Sequence, residues 1–584
     1  MSRTLPFRVR PDRRRGGHAI GALMRVAAAR TLVRSGVLAR SMFAACDPIL
    51  VACVLGLLYV AASTLLPPGG VFTGDQGVKF LQVDGLASGG GLGLGSTASA
   101  LSVLRPLFAG NFYRAVGAEY QAVFSPAYAL TVLPFYVALG RFGLLVPSMV
   151  GAVLAGYASA RIGSLVRVPY PGVLAAVVGL ASPFVFYAVV LWEHALSAGL
   201  LTVASYLTMR RRFFGAGVVC AVATWFRPEA YLYFPALALA LLCWVEAHAR
   251  AKATLGLAGG FLFGAAPWWS YNLATTGAIL GLQVEANGTR ALDPDVIALF
   301  LVPARHKQWL FVLALAMLAL LVARLRGHRL APVVDLLLLG AAGIGSIGAV
   351  RGDIGSSVTD VFPVGLVAIL SIPALSREPG TRFLWVLVGA FTAGVVLTAP
   401  TWGGGGWGPR MLLGVYPPLA VLAWQGLWST RRSSARLTAA ALLAITCVVQ
   451  GVGLRNLYRE EERWARLNQE LLSLEPRVVA TSIWWLPQVA APTLGQMSWY
   501  GITDEQQLDG VASLEGHFWW IWTRDDPSTT EDPSLKALAR VRLTQEGILP
   551  PSRFEALAVR ELSARGLHAT LYEPIPDPST AVRR

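Results

Sequence analysis

From Asp47 to Leu66 the chain reads DPILVACVLGLLYVAASTLL, and after two prolines and two glycines it reads VFTGDQGVKF from Val71 to Phe80. The first stretch is an apolar run of the length that crosses a bilayer as a helix. The second is too polar and too rich in glycine to remain in hydrocarbon. Thr73, Gly74, Asp75, Gln76 and Gly77 read as a turn that holds a carboxylate beside the membrane. Lys79 follows, in a chain whose other lysines are Lys252, Lys307 and Lys536. On local pattern alone, a solvated acid in an ordinary Asx-type turn is the simpler reading. The rest of the chain shifts that balance.

Composition sets the class. Of 584 residues, 55% are apolar and 14% charged, with a mean hydropathy of +0.55. No soluble domain needs so much hydrocarbon, and many runs reach the ~17–25 apolar residues of a transmembrane helix. A polytopic α-helical membrane protein is expected. The formal charge of +16 is carried by short Arg clusters between apolar runs, as in cytoplasmic loops. No aromatic–basic motif accompanies them, so nucleic acid is not an expected partner. Cys46, Cys53, Cys220, Cys243 and Cys447 lie in or beside apolar runs without metal-ligand spacing and read as small core residues. No metal site, Walker A sequence or GxGxxG turn in the right context is present, and no cofactor is expected.

Charge orients the spans. Residues 1–46 carry ten Arg against the single acid Asp12, which places this basic N-terminus in the cytoplasm. Asp47–Leu66 then crosses outward, and residues 67–121 form a first outer loop. Arg210–Arg212, Arg250 with Lys252, Arg324–Arg329, Arg377 with Arg382 and Arg431–Arg436 mark alternate junctions as cytoplasmic. About fourteen apolar segments can be drawn before residue 454. A chain that begins inside and ends outside crosses an odd number of times. The segment 122–140, interrupted by Pro126 and Pro134, is expected not to cross but to lie as a juxtamembrane or re-entrant piece, which leaves about 13 transmembrane helices. After the module 47–454, residues 455–584 read as a small extracytoplasmic α/β domain. In it 457–474 is helical, Arg477–Ile483 and His517–Thr523 are strands, Phe554–Arg565 is a helix and Leu567–Tyr572 a last strand.

The candidate chemistry gathers on the face of Asp75. Glu193 and His194 end the segment that starts at Ser182-Pro183. Arg227 and Glu229, in Trp225-Phe-Arg-Pro-Glu229, lie about 22 Å of helix above Arg212, close to the outer boundary of the hydrocarbon. Ionisable groups at that depth are costly and mark function by default, against the plainer readings of an interfacial turn and an internal ion pair. Trp402-Gly-Gly-Gly-Gly-Trp407-Gly-Pro-Arg410 offers free backbone N–H groups, two flat indoles and a guanidinium, which suits a phosphate-bearing lipid head group and a sugar ring. The competing reading is an aromatic belt with a snorkelling Arg.

These motifs together resemble the GT-C superfamily of integral membrane glycosyltransferases, in its protein-mannosyltransferase and aminoarabinose-transferase-like branch. The resemblance rests on Gly74-Asp75-Gln76-Gly77, on Ser182-Pro183 leading to Glu193, on Arg227-Pro228-Glu229, and on Trp407-Gly408-Pro409-Arg410 before a late span. It implies a polyprenyl-phosphate-linked sugar as donor and a glycan, lipid or protein as acceptor. It implies transfer on the extracytoplasmic side of a bacterial-type inner membrane. Asp75 and Glu193 then match the catalytic acids. Lys79, His194, Arg227, Glu229, Trp402, Trp407 and Arg410 are the expected substrate-binding residues. Asp75 is followed by Gln76 and Gly77 rather than by a DxD pair, so a metal-independent, inverting single displacement is expected. A transporter or flippase of a lipid-linked sugar is the rival class, and an assembly partner with a degenerate site is a third.

The charge walk is checked by topology reporters. A reporter fused after Ala581 is expected outside the cytoplasm and one inserted at Arg211 inside it. Both on one side would remove the common face on which the candidate residues are placed.

Overall fold

The computed structural model describes residues 47–92, 112–116, 119–287, 357–375, 377–399, 406–429, 433–483 and 485–502. With short breaks it also describes 507–523, 554–563 and 566–575. The basic N-terminus, Trp402, and the apolar segments 308–323 and 331–350 lie outside these residues.

The described chain is mostly helical. Four stretches are long and apolar enough to cross a bilayer: Pro126–Leu165, Pro379–Thr398, Arg410–Ser429 and Ala435–Leu472. Shorter apolar helices, Pro48–Thr64, Pro171–Leu180, Phe213–Phe226 and Ala230–Trp244 among them, complete the bundle. Asp47 caps the first of these by accepting a hydrogen bond from the Ile49 N–H at 2.8 Å, and Pro48 fills the first helical position, where no N–H is needed. Its Leu57 and Leu65 stay about 70% exposed, as side chains that meet lipid should be. The prolines of the 122–140 segment do not break it. Pro126 opens the helix Pro126–Leu139, Pro134 lies inside it, and the chain turns at Gly140, whose φ is +58°. Where Val146–Leu165 crosses His194–Met209, Gly151 and Gly199 let the backbones touch. A Cβ on Gly199 would sit 2.2 Å from the Gly151 carbonyl oxygen. Small residues make such crossings possible where burying apolar surface gains nothing over lipid.

Two sequence expectations are corrected. The Asp75 segment is the start of a helix, Gly74–Ala87, and not a turn. Thr73 precedes it in extended conformation, Asp75 sits in the first turn where a negative charge suits the helix dipole, and Gln76, Lys79, Gln82 and Val83 form its buried stripe. Phe554–Glu561 is a strand, not a helix. Its Ala, Leu and Glu favour a helix locally, but pairing with Leu567–Pro574 across a turn at Gly566 overrides that preference.

The strands after residue 477 are β3 (Val478–Thr481), β4 (Ser498–Gly501), β5 (Phe518–Thr523), β6 (Phe554–Glu561) and β7 (Leu567–Pro574). They follow β1 (Tyr113–Val116) and β2 (Glu119–Ala122), a separate hairpin. The larger sheet runs β4-β3-β5-β7-β6. β3 is parallel to both its neighbours, and β7 is antiparallel to both of its own. The helix Ser433–Leu472 is unbroken for 40 residues, about 60 Å, so the boundary drawn at residue 454 falls inside it. It joins the bundle to the sheet. One apolar core then unites Val71, Val78 and Tyr113 of the first loop, and Phe124 just after it, with Leu467, Leu486, Val489 and Trp519.

The Gly74–Ala87 helix lies directly on the short helix Leu486–Val489. A Cβ on Gly77 would stand 1.7 Å from the Gln488 carbonyl oxygen, and one on Gly74 would stand 2.1 Å from the Gln488 Oε1. Gly77→Ala is therefore expected to cost at least about 1–3 kcal/mol by overpacking. Gly85→Ala, on the same helix with its nearest neighbour at 3.4 Å, is expected to be neutral or stabilising by up to ~1 kcal/mol. Thermal unfolding of the two variants in detergent checks this, and equal melting temperatures would refute the close approach.

Candidate active site

Six ionised side chains meet where four helices begin or end. Glu193 precedes His194–Met209, Arg227 follows Phe213–Phe226, Glu229 precedes Ala230–Trp244, and Arg410 leads through a 3₁₀ turn into Tyr416–Ser429. Asp75 and Lys79, four residues apart, come from one face of the Gly74–Ala87 helix.

The cluster has a closed end and an open end. At the closed end the Glu193 carboxylate lies between two cations, 3.0 Å from the Arg227 Nη1 and 3.1 Å from the Lys79 Nζ. Arg227 also donates through Nε to the Glu229 Oε1 at 2.9 Å. Lys79, Glu193 and Arg227 are all at most 4% exposed. The Lys79–Glu193 contact is an ion pair without hydrogen-bond alignment, and the ammonium also sits 3.9 Å above the Phe124 ring, a cation–π contact in a desolvated place. At the open end Arg410 Nη1 donates to the Asp75 Oδ2 at 2.8 Å, with 17% and 16% of the two side chains exposed. The Arg410 guanidinium lies 5.2 Å from the Trp192 ring centre.

Three carboxylates thus face three cations. Burial works against ionisation of Asp75, but the charges of Arg410 and then Lys79 outweigh it and hold the carboxyl below the usual carboxylate range. Glu193 shows the same contest: burial raises it, and Lys79 and Arg227 bring it below its usual value. His194 is buried beside this cluster, its ring 5.5 Å from Trp192 and 5.7 Å from Tyr187. Neither of its ring nitrogens has a hydrogen-bond partner among the described residues. Among the described residues no group of three His, Cys, Asp or Glu side chains is placed to hold a metal ion.

The crystal structure of ArnT from Cupriavidus metallidurans bound to undecaprenyl phosphate matches with a TM-score of 0.51. The match is 14% identical in sequence and covers 89% of this chain and 97% of that one. Apo ArnT from the same organism matches with the same TM-score and coverage at 12% identity. No protein-family model matches the chain, and no curated protein matches it in sequence. The fold is ArnT-like.

Of the residues singled out in the sequence, Asp75, Lys79, Glu193, His194, Arg227, Glu229 and Arg410 are brought together. Trp407 is near them but faces away from solvent. It is 3% exposed, stacked 6.2 Å from Phe186, and donates from Nε1 to the Gln450 Oε1 at 3.2 Å. Its indole joins the site to the long Ser433–Leu472 helix rather than offering a free face. Three participants were not singled out. Trp192 stands next to Glu193 and could have been read as an aromatic beside an acid. Phe124, on which Lys79 rests, and Gln488, against which Gly74 and Gly77 pack, carry no local signal.

Glu193→Gln would leave two buried cations without their shared anion. Breaking such a pair from one side costs about 3–5 kcal/mol, whereas Asp75→Asn, in a pair partly open to water, should cost less. Melting temperatures of the two variants in the same detergent measure the contrast. A Glu193→Gln protein as stable as the parent would mean that the carboxylate does not hold Lys79 and Arg227.

Proposed function

We propose that the protein transfers a sugar from a polyprenyl-phosphate donor to a hydroxyl acceptor on the extracytoplasmic side of a bacterial-type inner membrane. The observation that carries this reading is the half-open Asp75–Arg410 pair at the edge of a buried, charge-balanced cluster, in an ArnT-like fold. ArnT itself has been crystallised with undecaprenyl phosphate, and a lipid phosphate is the ligand proposed here.

In this mechanism Asp75 takes the proton of the acceptor hydroxyl as the oxygen attacks the anomeric carbon. The bond from that carbon to the phosphate oxygen breaks. The lipid phosphate leaves as a dianion where it arrived as a monoanion. One unit of negative charge therefore moves from Asp75 to the phosphate, and Arg410, beside both, changes partner with it. An approaching phosphate draws Arg410 away from Asp75, and the carboxylate becomes a stronger base as that cation departs. The base is thus activated only when donor is in place. Glu193 does not fit a base, since both its oxygens lie against cations out of water. It holds Lys79 and Arg227 in position for the phosphate.

Asp75→Asn is expected to lower turnover about 10²–10⁴-fold while leaving donor affinity nearly unchanged. Arg410→Ala should weaken donor binding about 10- to 150-fold, as loss of a charge-assisted contact does, and Arg410→Lys less, because an ammonium cannot bridge two phosphate oxygens. The pH dependence carries a sign. In the parent the acidic limb of kcat/KM falls below the ordinary Asp value of about 3.9, because Arg410 stabilises the carboxylate. Removing Arg410 takes that stabilisation away, so in Arg410→Gln the limb moves to higher pH. Assays with radiolabelled polyprenyl-phosphate sugars read all three. Full activity in Asp75→Asn would take Asp75 out of the chemistry.

A further inference from the structure

At the end of the bundle away from Asp75, the helices stand around a half-open cavity of about 540 Å³. That is within the ~300–1,000 Å³ of small-ligand sites. Val146–Leu165, Ala230–Trp244 and Tyr416–Ser429 end on it, and Pro379–Thr398 begins on it. Two of these ends belong to stretches long and apolar enough to cross a bilayer, Pro379–Thr398 and Arg410–Ser429. Arg410 lies in the charged cluster and Ser429 on the cavity, and the 20 residues of that stretch cover about 30 Å. The cavity is therefore at the opposite membrane boundary, at the depth of lipid head groups.

One acid and one cation share its rim. Glu378 stands just before Pro379, and Arg167 just after Val146–Leu165; both are exposed. The Glu378 Oε2 accepts hydrogen bonds from the Gln425 Nε2 and, at 3.3 Å, from the buried Thr381 hydroxyl. These bonds fix the carboxylate and leave Oε1 without a partner among the described residues. Arg167 is held at φ +58°, a conformation glycine adopts at less cost. Its guanidinium is not paired with Glu378 or with any other described residue. Two indoles complete the lining, Trp244 and Trp428. Trp244 is anchored by donating from Nε1 to the Met209 carbonyl at 3.1 Å. A second guanidinium, that of Arg436, stands 5.9 Å from the Trp428 ring centre.

We propose that this cavity binds the head group of phosphatidylethanolamine from the adjoining leaflet. An acid and a cation on one rim, unpaired with each other, call for a ligand that carries both charges. A primary ammonium meets the free Glu378 oxygen, and the partial negative charge of three helix C-termini supports it. The phosphate meets Arg167, with Arg436 beyond it. Indoles favour this depth, and their faces attract an ammonium. A head group with only negative charge would set Glu378 against it. A choline has no N–H to give the carboxylate and meets it by charge alone. The site lies across the membrane from Asp75, so it stands or falls independently of the sugar-transfer reading.

Native mass spectrometry of the full-length protein, delipidated in detergent, tests this. The probes are phosphatidylethanolamine, phosphatidylcholine and phosphatidylglycerol with the same acyl chains. Phosphatidylethanolamine is expected to bind most tightly. Glu378→Gln should weaken it about 2- to 12-fold without weakening phosphatidylglycerol, whereas Arg167→Gln should weaken both. Glu378→Lys is expected to prefer phosphatidylglycerol, a reversal that damage to the fold would not produce. Equal affinity of the parent for all three lipids, or the parent's order of preference in Glu378→Lys, would reduce the contact to unselective boundary lipid and overturn the site. Phosphatidylcholine bound as tightly as phosphatidylethanolamine would overturn it too. So would displacement of the lipid by an equal concentration of glycerophosphoethanolamine, which would make the ligand a soluble phosphoamine.

Discussion

Glu193 is out of water with a cation on each oxygen, and three distant parts of the chain meet on that one carboxylate. Lys79 brings the Gly74–Ala87 helix, Arg227 brings the corner between two helices of the bundle, and Glu193 itself opens a third. Such an arrangement adds little net stability, because the desolvation of three charges consumes most of their attraction. What it supplies is selectivity among packings. Any displacement of these elements strands a buried charge, so the alternatives are raised in energy far more than the native state is lowered. Glu229, as the second partner of Arg227, keeps the group neutral. The Asp75–Arg410 pair can then be half-open to solvent without unbalancing what lies behind it.

Much of this was legible because membrane proteins concentrate their information. Acids and cations at the ends of apolar runs are few, so Asp75, Glu193, Arg227, Glu229 and Arg410 stood out before any coordinate was known. The conformation around Asp75 was not legible. Thr-Gly-Asp-Gln-Gly has the composition of a turn, and what makes it helical is the packing of Gly74 and Gly77 against Gln488, more than 400 residues away in sequence. Phe554–Glu561 failed in the opposite direction, as a helix-like composition held in a strand by its partner β7. Trp407 was read by residue type as a sugar platform, yet its surroundings make it an internal link to Gln450. Each difference has the same origin: propensity is local, and the deciding contact is not.

A carrier that moves a charged head group through a membrane needs polar stations along the way. The helices Phe213–Phe226, Ala230–Trp244 and Tyr416–Ser429 contain no Asp, Glu, Lys or Arg. Buried hydroxyls elsewhere in the bundle are largely turned inward on their own helices. Thr202, Ser205, Thr208 and Thr446 each donate to the carbonyl four residues back. The opposite ends of the helices carry cations such as Arg211, whose exposed pair with Glu246 is screened by water. Among the described residues the buried charges are thus confined to one end of the bundle, which favours chemistry at a surface over passage through it.

The sheet after residue 477 also bears on that surface. Its link to the site is mechanical and runs through the long helix. Asn468 donates both to the Gly69 carbonyl, just before the Asp75 helix, and to the Val489 carbonyl, at the end of the helix that Gly74 and Gly77 lie against. Seven residues earlier on the same helix face, Glu461 draws in Arg141, which reaches the Glu461 carboxylate at 3.7 Å and the Gly70 carbonyl at 3.4 Å. The approach to Asp75 is therefore held from behind by one rigid element that begins in the bundle and ends at the sheet. A general base must be placed to within about an ångström to be effective, and a short amphipathic helix at a membrane surface would not hold such a position alone. The Gly77–Gln488 contact fixes the depth of that helix, and the Lys79–Glu193 pair fixes its rotation. With both set, the proposed chemistry needs one movement at the site: the exchange of Arg410 between Asp75 and a phosphate.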